Sequence, residues 1–336
     1  MIQFEGLLLN FILGATAWWA ARRHFGQLDI GSRFLAAGVL AWSWSILGMQ
    51  ILGSVSLLTR AGIAFWVGLG VLISIGMSRF RPRPLDTSSG FHSAPTDALY
   101  SWPAIACLGV LIWVCLEMML QSLIYPVKVM SDGPIYHLYF AARWWKAGKY
   151  FLVAAPFGEN AATYFPANGD LWFTWLMIGW GGDRLARIGQ APFLVVAGVA
   201  SYRICRMLGA GRSSSLIAST WFLTSTALLV FSFEANVDTI FIANDLLAAY
   251  FFLRFARGDD GISSLVLGGL AAGGALGTKS VAIVFVPPLI LVALAAVLAH
   301  SRTPRERAIQ ILILLVSPLI LSGFWPLSTG HASSRR

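Results

Sequence analysis

Apolar runs long enough to cross a bilayer recur from one end of this chain to the other, and no other feature limits the fold as strongly. A helix needs about 20 apolar residues to span the hydrocarbon layer. Inside that layer only helices and closed barrels satisfy their own backbone N–H and C=O groups. Runs of this length exceed a barrel strand, so they specify helices. They fall at residues 1–21, 34–58, 62–77, 102–124, 185–208, 216–233, 237–255, 262–276, 281–299 and 308–327. Only 12% of the 336 residues are charged, against about 25% in an ordinary soluble domain, which leaves too little polar surface for a water-soluble fold. The expectation is an all-α polytopic membrane protein with about ten transmembrane helices.

The charges give the runs an orientation. The chain carries a net +9, but its basic residues are dispersed between apolar runs and not gathered on one polar face. That pattern sets topology and gives no footprint for nucleic acid. Residues 171–180 form an apolar run only half as long as a crossing requires. If that run does not cross, Arg22, Arg23, Arg79, Arg81, Arg83, Arg203, Arg206, Arg212, Arg254 and Arg257 all lie inside, as the positive-inside rule demands. If it crosses, Arg203, Arg206 and Arg212 are exported. The non-crossing version is preferred. It places 125–184 outside as a large extracytoplasmic loop with juxtamembrane helices, together with 234–238 and 278–279.

Three regions follow. Residues 1–101 form an N-terminal three-helix membrane region ending in a cytoplasmic linker rich in Arg, Pro, Ser and Thr. Residues 102–327 form a membrane core, and 328–336 a polar tail too short to fold. The first run begins with Glu5 and lacks a basic n-region, so it reads as a spanning helix and not as a signal peptide. Cys107, Cys115 and Cys205 sit in or beside apolar segments without metal-ligand spacing and act as small hydrophobes.

The longest polar interruption, 128–170, holds the candidate chemistry. Its charges are interleaved with Tyr136, Tyr139, Trp144, Trp145, Tyr150 and Tyr164, the aromatic mixture of a membrane–water boundary. Asp132, Gly133 and Pro134 read as a helix start, with Asp132 at the N-cap. Helical spacing from there brings Asp132, Tyr136 and Arg143 to one face of a surface helix. Asp132, His137 and Glu159 are the residue types of a general-base site or a divalent-metal site. Capping is the bland alternative for Asp132, solvation for Glu159, and zinc spacing such as HExxH is absent. Arg143, Lys146, Lys149 and Lys279 are candidates for a phosphate, against headgroup snorkelling for the loop cations. Lys279 lies between two apolar runs, where an ionisable group is costly. Asp238 is a second catalytic acid or a cap, and Glu117 and Asp245 are acids at membrane depth. Gly268, Gly269, Gly273, Gly274 and Gly277 follow no strand, so they read as close helix contact and not as a nucleotide loop.

In this order the motifs resemble the GT-C superfamily of membrane glycosyltransferases, in its family 39, protein O-mannosyltransferase-like and lipid A aminoarabinose transferase-like form. The resemblance rests on Asp132 with Tyr136 and the Trp145-Lys146-Ala147-Gly148 helix end, then Tyr164-Phe165-Pro166-Ala167-Asn168-Gly169. It continues with Asp238 ahead of Arg254, and the segment 269–279 ending in Thr278-Lys279. It covers 102–327 and implies transfer of a sugar from a polyprenyl-phosphate-linked donor to a glycan, lipid or protein acceptor on the extracytoplasmic face. It further implies an inner (plasma) membrane location in a bacterial cell envelope, with membrane lipids around it. Asp132 is then the catalytic base, Asp238 and Glu159 further catalytic acids, and Tyr136, His137, Arg143, Tyr164, Asn168 and Lys279 substrate-binding residues. No cofactor is implied with certainty; a divalent metal is the one candidate, with Asp132, His137 and Glu159 as the residues that would hold it. The family continues beyond the point where this chain stops, and three runs precede the 102–124 run that leads to Asp132, where the family often has one run before the acid. The expectation is a C-terminally truncated chain that binds the donor lipid and shows little transfer alone. A lipid-linked sugar flippase or a non-catalytic membrane scaffold are the competing classes. A flippase would line a path near midplane, for which Glu117 and Asp245 are the candidates.

Overall fold

The computed structural model describes residues 2–25, 28–79, 100–125, 131–156, 160–258, 261–301 and 303–325. Every regular element among them is helical: α1 (Ile2–His24), α2 (Ile30–Ser54), α3 (Arg60–Ser78), α4 (Trp102–Ile124), a π-helical turn (Gly133–His137), α5 (Leu138–Ala147) and a 3₁₀ turn (Asn160–Tyr164). Then follow α6 (Asn168–Trp180), α7 (Arg184–Arg187), α8 (Ala191–Met207), α9 (Arg212–Leu223), α10 (Thr226–Ser232), α11 (Asp238–Ala256), α12 (Gly261–Leu276), α13 (Ala282–His300) and α14 (Pro304–Ser322).

Local chemistry fixes many of the ends. Asp29 caps α2 by accepting from the backbone N–H groups of Gly31 (3.0 Å) and Ser32 (3.3 Å). Thr59 caps α3, accepting from Gly62 N–H at 3.1 Å. Thr303 does the same for α14 through Glu306 N–H at 3.1 Å. Gly148 and Gly181 end α5 and α6 at φ of 66° and 78°, the left-handed conformation that glycine adopts without strain.

Six helical stretches among the described residues are long and apolar enough to cross a membrane: Ile30–Ser54, Arg60–Ser78, Trp102–Ile124, Arg184–Met207, Asp238–Ala256 and Ala282–His300. The protein is an integral membrane protein with several spans. The number differs from the ten read off the sequence. The expected span 216–233 is two helices, α9 and α10, bent by 68° at Thr224–Ser225 and counting as a seventh crossing only when taken together. No proline or glycine marks that break. Thr224 Oγ1 instead donates back to Trp221 O at 2.9 Å, the local bond by which Ser and Thr bend helices. α12 is apolar but has 16 residues, and α14 opens with Arg305, Glu306 and Arg307. α1 carries Asn10, whose Oδ1 accepts from Trp175 Nε1 of α6 at 3.0 Å.

The centre of the bundle is α2, α11 and α12. Tyr250, Phe251 and Phe252 of α11 are fully buried there, while Phe173 and Trp175 of α6 are fully buried in the adjoining cluster; α12 packs against both α11 and α14. The glycines of α12 permit that approach: a Cβ at Gly273 would collide with the Pro318 carbonyl of α14, and one at Gly268 with the Phe252 ring. Close helix contact is therefore their role. α2, from the N-terminal region, contacts α1, α6, α8, α12 and α14.

Candidate active site

The acids that the sequence scatters over a hundred residues meet at one end of the bundle. The π-helical turn, α6, the start of α11 and the turn after α12 converge there. Gly133 lies against the loop before α11, where an added Cβ would sit 3.3 Å from Ala235 O. Gly169, at the start of α6, abuts Val237 so closely that no side chain fits. Asn168 N–H donates to Gly277 O at 2.9 Å, joining α6 to the end of α12.

Asp132 occupies the N-cap position of the π-helical turn, with Pro134 in the first turn as expected, yet its side chain makes no capping hydrogen bond. It is exposed, and Oδ2 accepts from the Tyr136 hydroxyl at 2.9 Å. Burial, followed by the hydrogen bond and charge of Asp132 and the charges of Asp170 and Asp238, pushes the Tyr136 phenol well above its usual range. Tyr136 therefore stays protonated and donates to Asp132 throughout the working pH range. Asp132 touches the phenol directly, and Asp170 and Asp238 act on it through their charge.

His137, the last residue of the turn, is buried and lies 2.5 Å from Asp170 (Nδ1 to Oδ1), which is also buried. Burial raises the Asp170 pKa, and the neighbouring His137 opposes that rise without cancelling it. Asp238 opens α11 in the first turn, where the helix dipole favours a carboxylate, and forms an ion pair with Lys279 Nζ. The α11 N-terminus is also held from outside: Gln190 Oε1 accepts from Thr239 N–H (2.8 Å) and Ile240 N–H (3.3 Å). Its Nε2 donates to Glu234 O at 3.0 Å.

The other candidates separate from this cluster. Asn168 is fully buried, and both amide atoms are used within the protein: Nδ2 donates to Leu321 O (3.1 Å), while Oδ1 accepts from Gln50 Nε2 (2.9 Å) and Trp325 Nε1 (2.9 Å). That side chain braces α2, α6 and α14 behind the site. Arg143 is exposed, its guanidinium 5.8 Å above the Tyr139 ring, and Lys146 and Lys149 are exposed beside it. Tyr164 ends the 3₁₀ turn, half exposed. Glu159 lies outside the described residues. Among the described residues no three metal-type side chains converge, and His137 Nδ1 is engaged by Asp170. Glu117 is exposed on α4 and accepts from Gln121, while Asp245 lies half-buried on α11, which is not among the packing partners of α4.

Asp170, Gln190 and Gln50 were not singled out by sequence for these roles. The signal for Asp170 is an acid in the first turn of a helix that is otherwise apolar. Gln190 and Gln50 carry no comparable mark.

One cavity adjoins the cluster, and a second meets the first at Phe233. The first, of about 260 Å³, is lined by Gln121, Ser122, Ser131, Arg187 and Glu234 next to Asp132. The other, about 520 Å³ and apolar, runs between α4, α8 and α9.

Residues 170–325 match the model of the dolichyl-phosphate-mannose-protein mannosyltransferase family. This segment is of the GT-C glycosyltransferase type. The match begins at Asp170 and takes in Asp238 and Lys279, while Asp132, Tyr136 and His137 lie ahead of it and are tied to it through Asp170. No curated protein and no solved structure matches the chain. The family implies a membrane glycosyltransferase with a lipid-linked sugar donor.

Proposed function

We propose that the protein transfers a sugar from a polyprenyl-phosphate-linked donor to a hydroxyl-bearing acceptor on the extracytoplasmic face. The observation that carries this reading is Asp132, an exposed carboxylate with one hydrogen bond among the described residues, in the same cluster as the Asp238–Lys279 pair of the matched segment. An exposed carboxylate with a free oxygen can take a proton, and the developing charge of a departing phosphate needs a fixed cation.

In this mechanism the acceptor hydroxyl loses its proton to Asp132 as its oxygen attacks the anomeric carbon. The bond from that carbon to the phosphate oxygen breaks, and the polyprenyl phosphate leaves with the electron pair. Tyr136 holds Asp132 in place by donating to Oδ2, leaving Oδ1 for the acceptor. Lys279, partly exposed, shifts from Asp238 toward the phosphate as negative charge accumulates. The polar groups of the smaller cavity, Ser131 and Arg187 among them, take sugar hydroxyls, and the apolar groove along α4, α8 and α9 takes the prenyl chain from the bilayer.

The test is transfer by the purified chain in lipid nanodiscs, supplied with radiolabelled polyprenyl-phosphate-mannose and glycan, lipid or peptide acceptors. The reading expects label to move from lipid to acceptor. Label that remains on the lipid with every acceptor class, at saturating donor, sinks it.

A further inference from the structure

We propose that His137 and Asp170 are positioning residues: their buried contact holds the π-helical turn that presents Asp132 and Tyr136, and locks it to the segment carrying Asp238 and Lys279. This inference rests on the reading above, because it assigns roles around the same site.

The turn itself needs an anchor. A π-helical turn packs less well than an α-helical one and persists in short pieces, often where function requires it. Here it spans Gly133–His137, with Asp132 at its start and Tyr136 one residue before its end. At the front, the Asp132 side chain supplies no cap, and its bond to the Tyr136 hydroxyl stays within the turn. The contact of Gly133 with Ala235 limits approach but provides no directed bond. At the back, His137 Nδ1 and Asp170 Oδ1 are 2.5 Å apart with both residues buried, the one directed polar tie between the turn and α6 among the described side-chain contacts. Slipping the turn into α-helical register would swing His137 away from Asp170 and leave two buried polar groups unpaired, which is costly. The pair therefore selects the wider turn.

Asp170 is in turn immobile. Its carbonyl accepts from Thr174 Oγ1 at 2.8 Å. On its N-terminal side Gly169 is pressed against Val237, next to Asp238, and Asn168 bonds to Gly277, two residues before Lys279. One carboxylate thus sets the separation of Asp132 from the Asp238–Lys279 pair, although it faces away from solvent. His137 follows Tyr136 in the turn, with the two rings 4.3 Å apart, so the buried pair lies directly behind the residue that holds Asp132.

The experiment compares Asp170→Leu, Asp170→Asn, His137→Asn and the parent in nanodiscs. Two readouts are taken: hydrogen exchange of backbone amides 133–138, and steady-state transfer from radiolabelled polyprenyl-phosphate-mannose. Asp170→Leu should raise exchange across 133–138 by about tenfold or more and lower kcat by ~100-fold, the cost of about 1 Å of misplacement, with donor KM little changed. Asp170→Asn and His137→Asn each keep one hydrogen bond of the pair, so both should recover most of the protection and of kcat. Unchanged exchange and kcat in Asp170→Leu overturn the proposal. So does an equal fall of kcat, KM and melting temperature in the Leu and Asn variants alike, which marks general scaffolding. A parent that transfers nothing sinks the enzymatic reading alone, because the exchange comparison still decides whether the pair holds the turn.

Discussion

Each end of the bundle holds a carboxylate among hydrogen-bond donors, and the two are used in opposite ways. At the arginine-rich end, Asp29 accepts from Gly31 and Ser32 N–H, from Ser32 Oγ at 2.5 Å, and from the Arg203 guanidinium. Ser32 Oγ also meets the buried Tyr250 hydroxyl at 2.6 Å. Burial works to raise the Asp29 pKa, but Ser32, Arg203 and the backbone donors outweigh it and hold the group below its usual range. Every lone pair there is spent on structure. At the acid-rich end, Asp132 has one donor, Tyr136, and an exposed face. The supporting bonds have moved one layer back, to His137–Asp170, Gln190 and Asn168. Satisfying a carboxylate stabilises a fold, whereas leaving it open while fixing its neighbours makes it available for chemistry.

The sharpest way to break that comparison is to neutralise both acids in turn. Asp132→Asn is expected to lower transfer by about 10²–10⁴-fold, the worth of a general base, with the melting temperature unchanged. Asp29→Asn should do the reverse, leaving turnover intact and lowering stability. Next in size, Asn168→Ala removes partners from Gln50, Trp325 and Leu321 in a fully buried setting, and should cost about 3 kcal/mol in denaturation experiments. Lys279→Met keeps the apolar stem and deletes the charge. Donor affinity should weaken about tenfold, or ~1.4 kcal/mol, while Arg203→Met, at the other end, leaves donor affinity alone.

The smallest effect is in pH. The stability Asp29 contributes is present above its unfolded value of about 3.9 and drains away as pH falls through its lower folded value. Melting-temperature curves should therefore steepen on the acid side below about pH 4 in the parent and flatten in Asp29→Asn.

The sequence made the membrane helices legible because apolar length is a one-dimensional property. Residues 34–58, 62–77, 102–124 and 281–299 correspond to α2, α3, α4 and α13 within a few positions. The glycines of α12 likewise announced close packing. The α9–α10 bend was hidden, since Thr224 and Ser225 look like ordinary helix residues until a hydroxyl bonds backward. The gathering of Asp132, Asp238 and Lys279 on one face followed from counting charges across spans. What Asp132 does there did not follow, because a capping acid and an open acid share the same Asp-Gly-Pro motif. Nor did spacing reveal that His137 spends its Nδ1 on Asp170, or that Asn168 faces inward, since both depend on contacts 33 and 153 residues away in the chain.

The account stands on the acid-rich end facing outward, and cysteine labelling tests that directly. Cys107, Cys115 and Cys205 are first replaced by alanine, and single cysteines are placed at Ser131 and Ala161 on one end and at Leu208, 74% exposed, on the other. A membrane-impermeant maleimide should modify the first two in intact cells and the third only after permeabilisation. Modification of Leu208→Cys in intact cells, with Ser131→Cys and Ala161→Cys protected, would turn the protein over and contradict the proposed site of transfer.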